Sequence, residues 1–139
     1  MEKWLVLPVF CQVVLTLVVG FMTGYKRFNA VRGGRAKVKD IALNAAAWPD
    51  DVLKIANNFN NQFQVPTVFM ATSAVILALG KVDAVTVVLA WFFVLSRIVH
   101  AVIHITHNVI MRRFQAYIAG LVGLGCIWAW LMIRLFVLA

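Results

Sequence analysis

Arg97, His100, His104 and His107 follow one another at intervals of three, four and three residues, which sets all four on one face of an α-helix. A fixed guanidinium beside imidazoles can hold an anion, stabilise a thiolate or pass a proton. A second polar group lies upstream, where residues 57–64 read Asn-Asn-Phe-Asn-Asn-Gln-Phe-Gln, six amides and two phenylalanines just before Val65-Pro66. At 3.6 residues per turn Asn57, Asn61 and Gln64 share a stripe, with Asn58 and Gln62 beside it, so a wide amide face looks toward other protein. Amides of this kind also serve as glue between membrane helices.

These residues stand in a chain that cannot be a soluble globule. Of its 139 residues 63% are hydrophobic and 13% charged, against roughly 45–50% apolar in an ordinary soluble domain. Four apolar stretches use most of that length, so one all-α domain is expected, a bundle of four transmembrane helices over about 4–25, 50–79, 84–107 and 113–138. The second begins with Pro49-Asp50-Asp51, residue types that suit a first helical turn and the positive end of the helix dipole. At some 30 residues it is longer than the hydrocarbon requires, so its first turns are expected to project as a continuous polar helix. Residues 26–49 carry Lys26, Arg27, Arg32, Arg35, Lys37 and Lys39 and read as a basic, mostly exposed loop. With Arg112 and Arg113 on the same side, the positive-inside rule turns both termini outward from an inner (plasma) membrane. The first apolar stretch lacks a cleavage-site pattern and reads as a retained helix. The tryptophans read as interfacial anchors or packing residues.

Depth sharpens the case for Arg97. Counted from Asp83 at about 1.5 Å per residue, it lies about 21 Å into a core about 30 Å thick, and Gln62 falls at a similar level. An arginine there costs roughly 2.5 kcal/mol or more unless it meets partners or water or snorkels to the interface. Neither helix offers an acid at that level, so Arg97, His100, Arg112 and Arg113 leave positive charge for a cytosolic anion to complete. Other chemistries fit less well. His100, His104 and His107 lack a carboxylate or thiolate to complete a metal site, and the adjacent arginine repels a cation, so no metal ligand is assigned. Ser96 and Thr106 have no intramembrane acid for a catalytic triad. Gly33-Gly34-Arg35 follows no strand and makes no phosphate loop. The net charge of +8 sits mainly in one connection, without the interleaved aromatics of a nucleic-acid face. Cys11 and Cys126 both lie in apolar runs and offer no disulfide framework.

The four-helix layout, the basic connection after the first helix, the amide-rich second helix with its proline, and Arg97-x-x-His100 together resemble the MAPEG family, the membrane-associated proteins of eicosanoid and glutathione metabolism. The chain looks like a divergent member of bacterial type. The resemblance implies a homotrimer with sites between subunits, glutathione as cosubstrate, and a small lipophilic electrophile or hydroperoxide as the second substrate. The family pattern of arginine, asparagine four on and glutamate three further finds Lys54, Asn58 and Asn61 here, with Gln62 in an alternative register. An amide thus stands where the glutamate is expected, and His104 stands where the family has a tyrosine. The resemblance makes Arg97 or Arg113 the thiolate stabiliser, gives Lys54, Asn58, Asn61, Gln62, His100 and Arg112 to binding, and leaves His104 as a proton donor. A thiol with a pKa of about 8.5 becomes nucleophilic at neutral pH beside such a guanidinium. The two departures keep a second reading open, a noncatalytic membrane protein that binds an anionic lipid headgroup or partner through the same basic face.

Overall fold

A computed structural model describes residues 1–138 as helices joined by short turns. In chain order these are α1 (Glu2–Arg32), α2 (Val38–Ile41), a single 3-10 turn at Ala45–Ala47, α3 (Asp50–Asn61), α4 (Val65–Ala78), α5 (Ala84–Ile105) and α6 (Ile110–Phe136). Three of them, α1, α5 and α6, are long and apolar enough to cross a membrane. Many large apolar side chains, among them Phe10, Phe21, Val88, Phe92 and Ile110, face outward from these helices. That exposure suits hydrocarbon as solvent.

The expected single helix over residues 50–79 is divided. α3 stops at Asn61, Gln64 takes φ −97° and ψ −110°, and α4 starts anew with Pro66 in its first turn. Proline has no N–H to give to the carbonyl of Gln62, and its ring would crowd that carbonyl in a continuous helix. At 14 residues α4 is about 21 Å long, too short alone for a core about 30 Å thick.

α1 differs in the opposite sense, since it runs through to Arg32 where a loop is expected from residue 26. Its extra turns are held by packing: Ala30, Ala36 and Val52 are buried together, with Val31, Ile41 and Trp48 against them. Asp51 clamps the same region, accepting from Arg35 Nη1 at 3.0 Å and meeting Lys26 Nζ at 3.5 Å. The hydrogen bond from Arg35, with the positive charge of both partners, holds the Asp51 carboxyl below its usual range.

The main core lies toward the opposite end, where Phe69 of α4 stacks on Phe93 of α5 at 4.3 Å among Leu5, Ile76, Ala90, Val94, Leu124, Ile127 and Leu131. Gly80, at φ +61°, closes the turn between α4 and α5, a conformation in which glycine carries no steric penalty. Asp83 then caps α5, accepting from the Thr86 backbone N–H at 2.8 Å. The same carboxylate accepts from Trp130 Nε1 at 2.8 Å and pairs with Arg134 at 3.1 Å, which fastens the end of α6 to the start of α5. Burial pushes the Asp83 carboxyl up, yet the hydrogen bonds from Thr86 and Trp130 and the Arg134 charge together hold it below its ordinary value.

Candidate functional site

The regular turn of α5 carries Arg97, His100 and His104 to its protein-facing side, where they are 0%, 3% and 3% exposed. His107 does not join them, because α5 ends at Ile105 and leaves that residue exposed in the turn. Arg97 reaches inward between α5 and α6, and α6 makes room for it at Gly120. A Cβ on that glycine would lie 2.8 Å from Ser96 Oγ and 3.4 Å from Arg97 Cδ. The guanidinium lies over the ring of Tyr117, 5.6 Å from its centre, a cation–π contact. Nε and both Nη atoms of Arg97 have no hydrogen-bond partner among the described residues. A buried charge normally has one.

His100 is held on one side only. Its Nδ1 lies 3.0 Å from the backbone carbonyl of Arg113, whereas Nε2 is buried and unpartnered. Its ring is edge-on to His104 at 5.7 Å and tilted to Tyr117 at 5.9 Å. Beside it opens a cavity of about 260 Å³ lined by Asn61, Gln64, His100, Ile110, Arg113, Phe114 and Tyr117. The break between α3 and α4 matters here, because it turns Asn61 and Gln64 toward α5 and α6. Arg113 is steadied by Asn108, whose Oδ1 accepts from Nη1 at 2.7 Å. No acidic side chain lines this cavity, and all three ion pairs among the described residues use Asp51 or Asp83 at the helix ends. The arrangement can receive an anionic group between Arg113 and the Tyr117–Arg97 pair, with amides opposite for its neutral polar atoms.

The remaining expected site residues are placed elsewhere. Asn58 and Gln62 are fully buried in a ladder inside the bundle: Gln12 Nε2 donates to Gln62 Oε1 at 3.0 Å, Gln62 Nε2 to Asn58 Oδ1 at 3.2 Å, and Asn58 Nδ2 to the Ala101 carbonyl at 3.3 Å. Their polar atoms join α1, α3 and α5 and do not line the cavity. Lys54 Nζ donates to the Thr106 carbonyl at 3.1 Å and borders a second cavity, of about 470 Å³, with Asp50, Asp51, Leu53, Asn57 and Asn108. His104 is buried with Nδ1 unpartnered, outside the lining of either cavity. Arg112 is exposed and lines neither cavity.

The model of the MAPEG family matches residues 5–133, nearly the whole chain. The chain belongs to the MAPEG family. No curated protein and no solved structure matches it significantly. MAPEG membership together with three apolar helices makes it an integral membrane protein of a family concerned with eicosanoid and glutathione metabolism. In this MAPEG chain the geometry adds residues that the sequence pattern had not singled out. Tyr117 is the chief of them, joining Arg97 to the cavity. Its signal is its place four residues after Arg113 and three before Gly120, which puts all three on one face of α6. Gln12, an amide inside the apolar run from Trp4 to Val19, gives a comparable hint of a partner across the bundle.

Proposed function

We propose that this MAPEG protein uses glutathione, binding it as a thiolate in the cavity between the α3–α4 break and α6 and either adding it to a lipophilic electrophile or, with a second glutathione, reducing a hydroperoxide to the alcohol with release of glutathione disulfide and water. The observation that carries the reading is Arg97, fully buried with three unpartnered nitrogens and joined through Tyr117 to a cavity that Arg113 also lines. Arg97 and Arg113 supply the positive charge that favours thiolate over thiol. Asn61, Gln64 and His100 supply hydrogen bonds, and the apolar substrate arrives from the bilayer, so that catalysis is chiefly the positioning of an activated sulfur. Lys54, Asn58, Gln62 and His104 support the site from α3 and α5 by holding its walls. In this reading α3 and α4 together form the second of four crossings, the chain assembles as a homotrimer in the inner membrane, and both termini face outward. A neighbouring subunit then supplies the remaining contacts to a tripeptide that extends beyond the cavity of one chain.

Calorimetry of glutathione binding to the detergent-purified protein, with thiolate followed by ultraviolet absorbance, tests this directly. Saturable binding with a thiolate signal lost in Arg97→Ala or Arg113→Ala is the expected result. A wild type that binds no glutathione at millimolar concentration refutes it. The amide at position 61 in place of an acid favours a second reading, a pocket for an anionic lipid headgroup, which binds without consuming thiol and tolerates Arg113→Lys.

A further inference from the structure

We infer that His100 is the proton acceptor that converts the bound thiol to its thiolate, its free Nε2 taking the S–H proton and later returning it to the product. The inference rests on the glutathione reading above. Its starting point is a fixed tautomer. The Arg113 carbonyl can only accept a hydrogen bond, so the His100 Nδ1 that lies 3.0 Å from it carries the hydrogen. In the neutral ring Nε2 is then a bare lone pair.

That lone pair is buried and receives no hydrogen bond from any described residue. An acceptor left in this state costs on the order of 1–3 kcal/mol unless a ligand supplies the donor. His100 lines the cavity, and a thiol bound there is a donor whose proton can move. The charged and titratable groups around the ring are Arg97 and His104 on its own helix and Arg113 and Tyr117 on α6; from α3 the cavity receives only the neutral Asn61. Burial and the two guanidiniums disfavour a charged ring and no carboxylate offsets them, so the proton stays on Nε2 only while the thiolate serves as its counter-ion. Arg113 lines the cavity and can meet the sulfur anion once it forms, while Arg97 adds its positive field from behind the Tyr117 ring.

For an α,β-unsaturated carbonyl substrate the step balances without any further reactant. The S–H bond breaks, its electron pair stays on sulfur, and Nε2–H forms. The thiolate then forms the S–C bond at the β-carbon while the alkene pair moves to give an enolate. Nε2–H protonates that enolate at carbon, and the ring returns to its neutral form with Nδ1 still bonded to the Arg113 carbonyl.

The test counts protons. Glutathione is mixed with the detergent-purified protein in weak buffer at neutral pH, with thiolate read at 240 nm and proton release by an indicator dye. If His100 keeps the proton, wild type forms thiolate with proton release near zero. His100→Gln retains an N–H for the Arg113 carbonyl but cannot be protonated, so its release rises to about one proton per thiolate formed. Release of about one proton per thiolate by wild type overturns the role of His100 while leaving the glutathione reading intact, and this arm decides the matter even if His100→Gln does not fold. Absence of glutathione binding to wild type overturns both.

Discussion

Replacing Gln62 with leucine removes the middle rung of the ladder that crosses from α1 to α5, and the cost can be worked out from the bonds it makes. Gln62 accepts from Gln12 and donates to Asn58, and the Gln12 Oε1 already has no donor. Gln62→Leu therefore strands the whole Gln12 amide and the Asn58 Oδ1. Hydrogen bonds between membrane helices average about 0.6 kcal/mol and reach about 1.7, and each stranded buried group adds on the order of 1 kcal/mol, so a loss of about 2–4 kcal/mol is expected. Gln12→Leu alone breaks one bond but also removes the unsatisfied Oε1, for a net loss of about 0–1 kcal/mol. With both substitutions only Asn58 is left short, so the double variant should be more stable than Gln62→Leu by about 1–2 kcal/mol. Equilibrium unfolding in mixed micelles, followed by circular dichroism, measures all three. A double variant no more stable than Gln62→Leu would refute the ladder as a coupled unit.

Further outcomes follow from other contacts. Gly120→Leu drives a side chain into Ser96 and Arg97 and should separate α5 from α6, lowering the unfolding temperature by many degrees, whereas Gly120→Ala is expected to be mild because Ser96 Oγ can rotate away. Differential scanning fluorimetry in detergent distinguishes the two. Asp51 has its carboxyl held below the unfolded value, so its contribution is present above pH of about 4 and is lost as pH falls through the folded value. With side chains 41–49% exposed the pairs are worth at most about 1 kcal/mol, and Asp51→Asn should flatten the stability–pH curve below pH of about 4 by that amount. Asp83→Ala removes the cap of α5 and the partner of Trp130 and Arg134, for an expected loss of about 1–2 kcal/mol, which urea titration would register.

Much of this was legible in the chain. Apolar runs of the right length announce a helical membrane protein, and the 3–4 spacing of Arg97, His100 and His104 correctly predicts a shared buried face. His107 escapes the pattern because periodicity does not say where a helix stops, and here α5 ends two residues earlier. Pattern alone makes residues 50–79 one helix, but a proline whose i−4 carbonyl belongs to Gln62 divides it and turns Asn61 and Gln64 toward α6. Side-chain partners across the bundle were the least accessible. Tyr117 lies 20 residues from Arg97 in sequence, and only the pairing of α5 with α6, which Gly120 and Gly123 allow, brings the two together.

The length of α1 has a consequence for how the protein sits in lipid. Its 31 residues rise about 46 Å, well beyond a hydrocarbon layer about 30 Å thick. The excess is the polar end of the helix, with Lys26, Arg27 and Arg32, and it stands beyond the hydrocarbon. Ala30 of those turns is packed on Val52 of α3 and Gln12 is bonded to Gln62 deeper in, so a change in the tilt of α1 carries α3 and the amide ladder with it. Changes in acyl-chain length should therefore rock these helices as one body, and the mouth of the cavity will rise or sink relative to the headgroups as the bilayer thins or thickens.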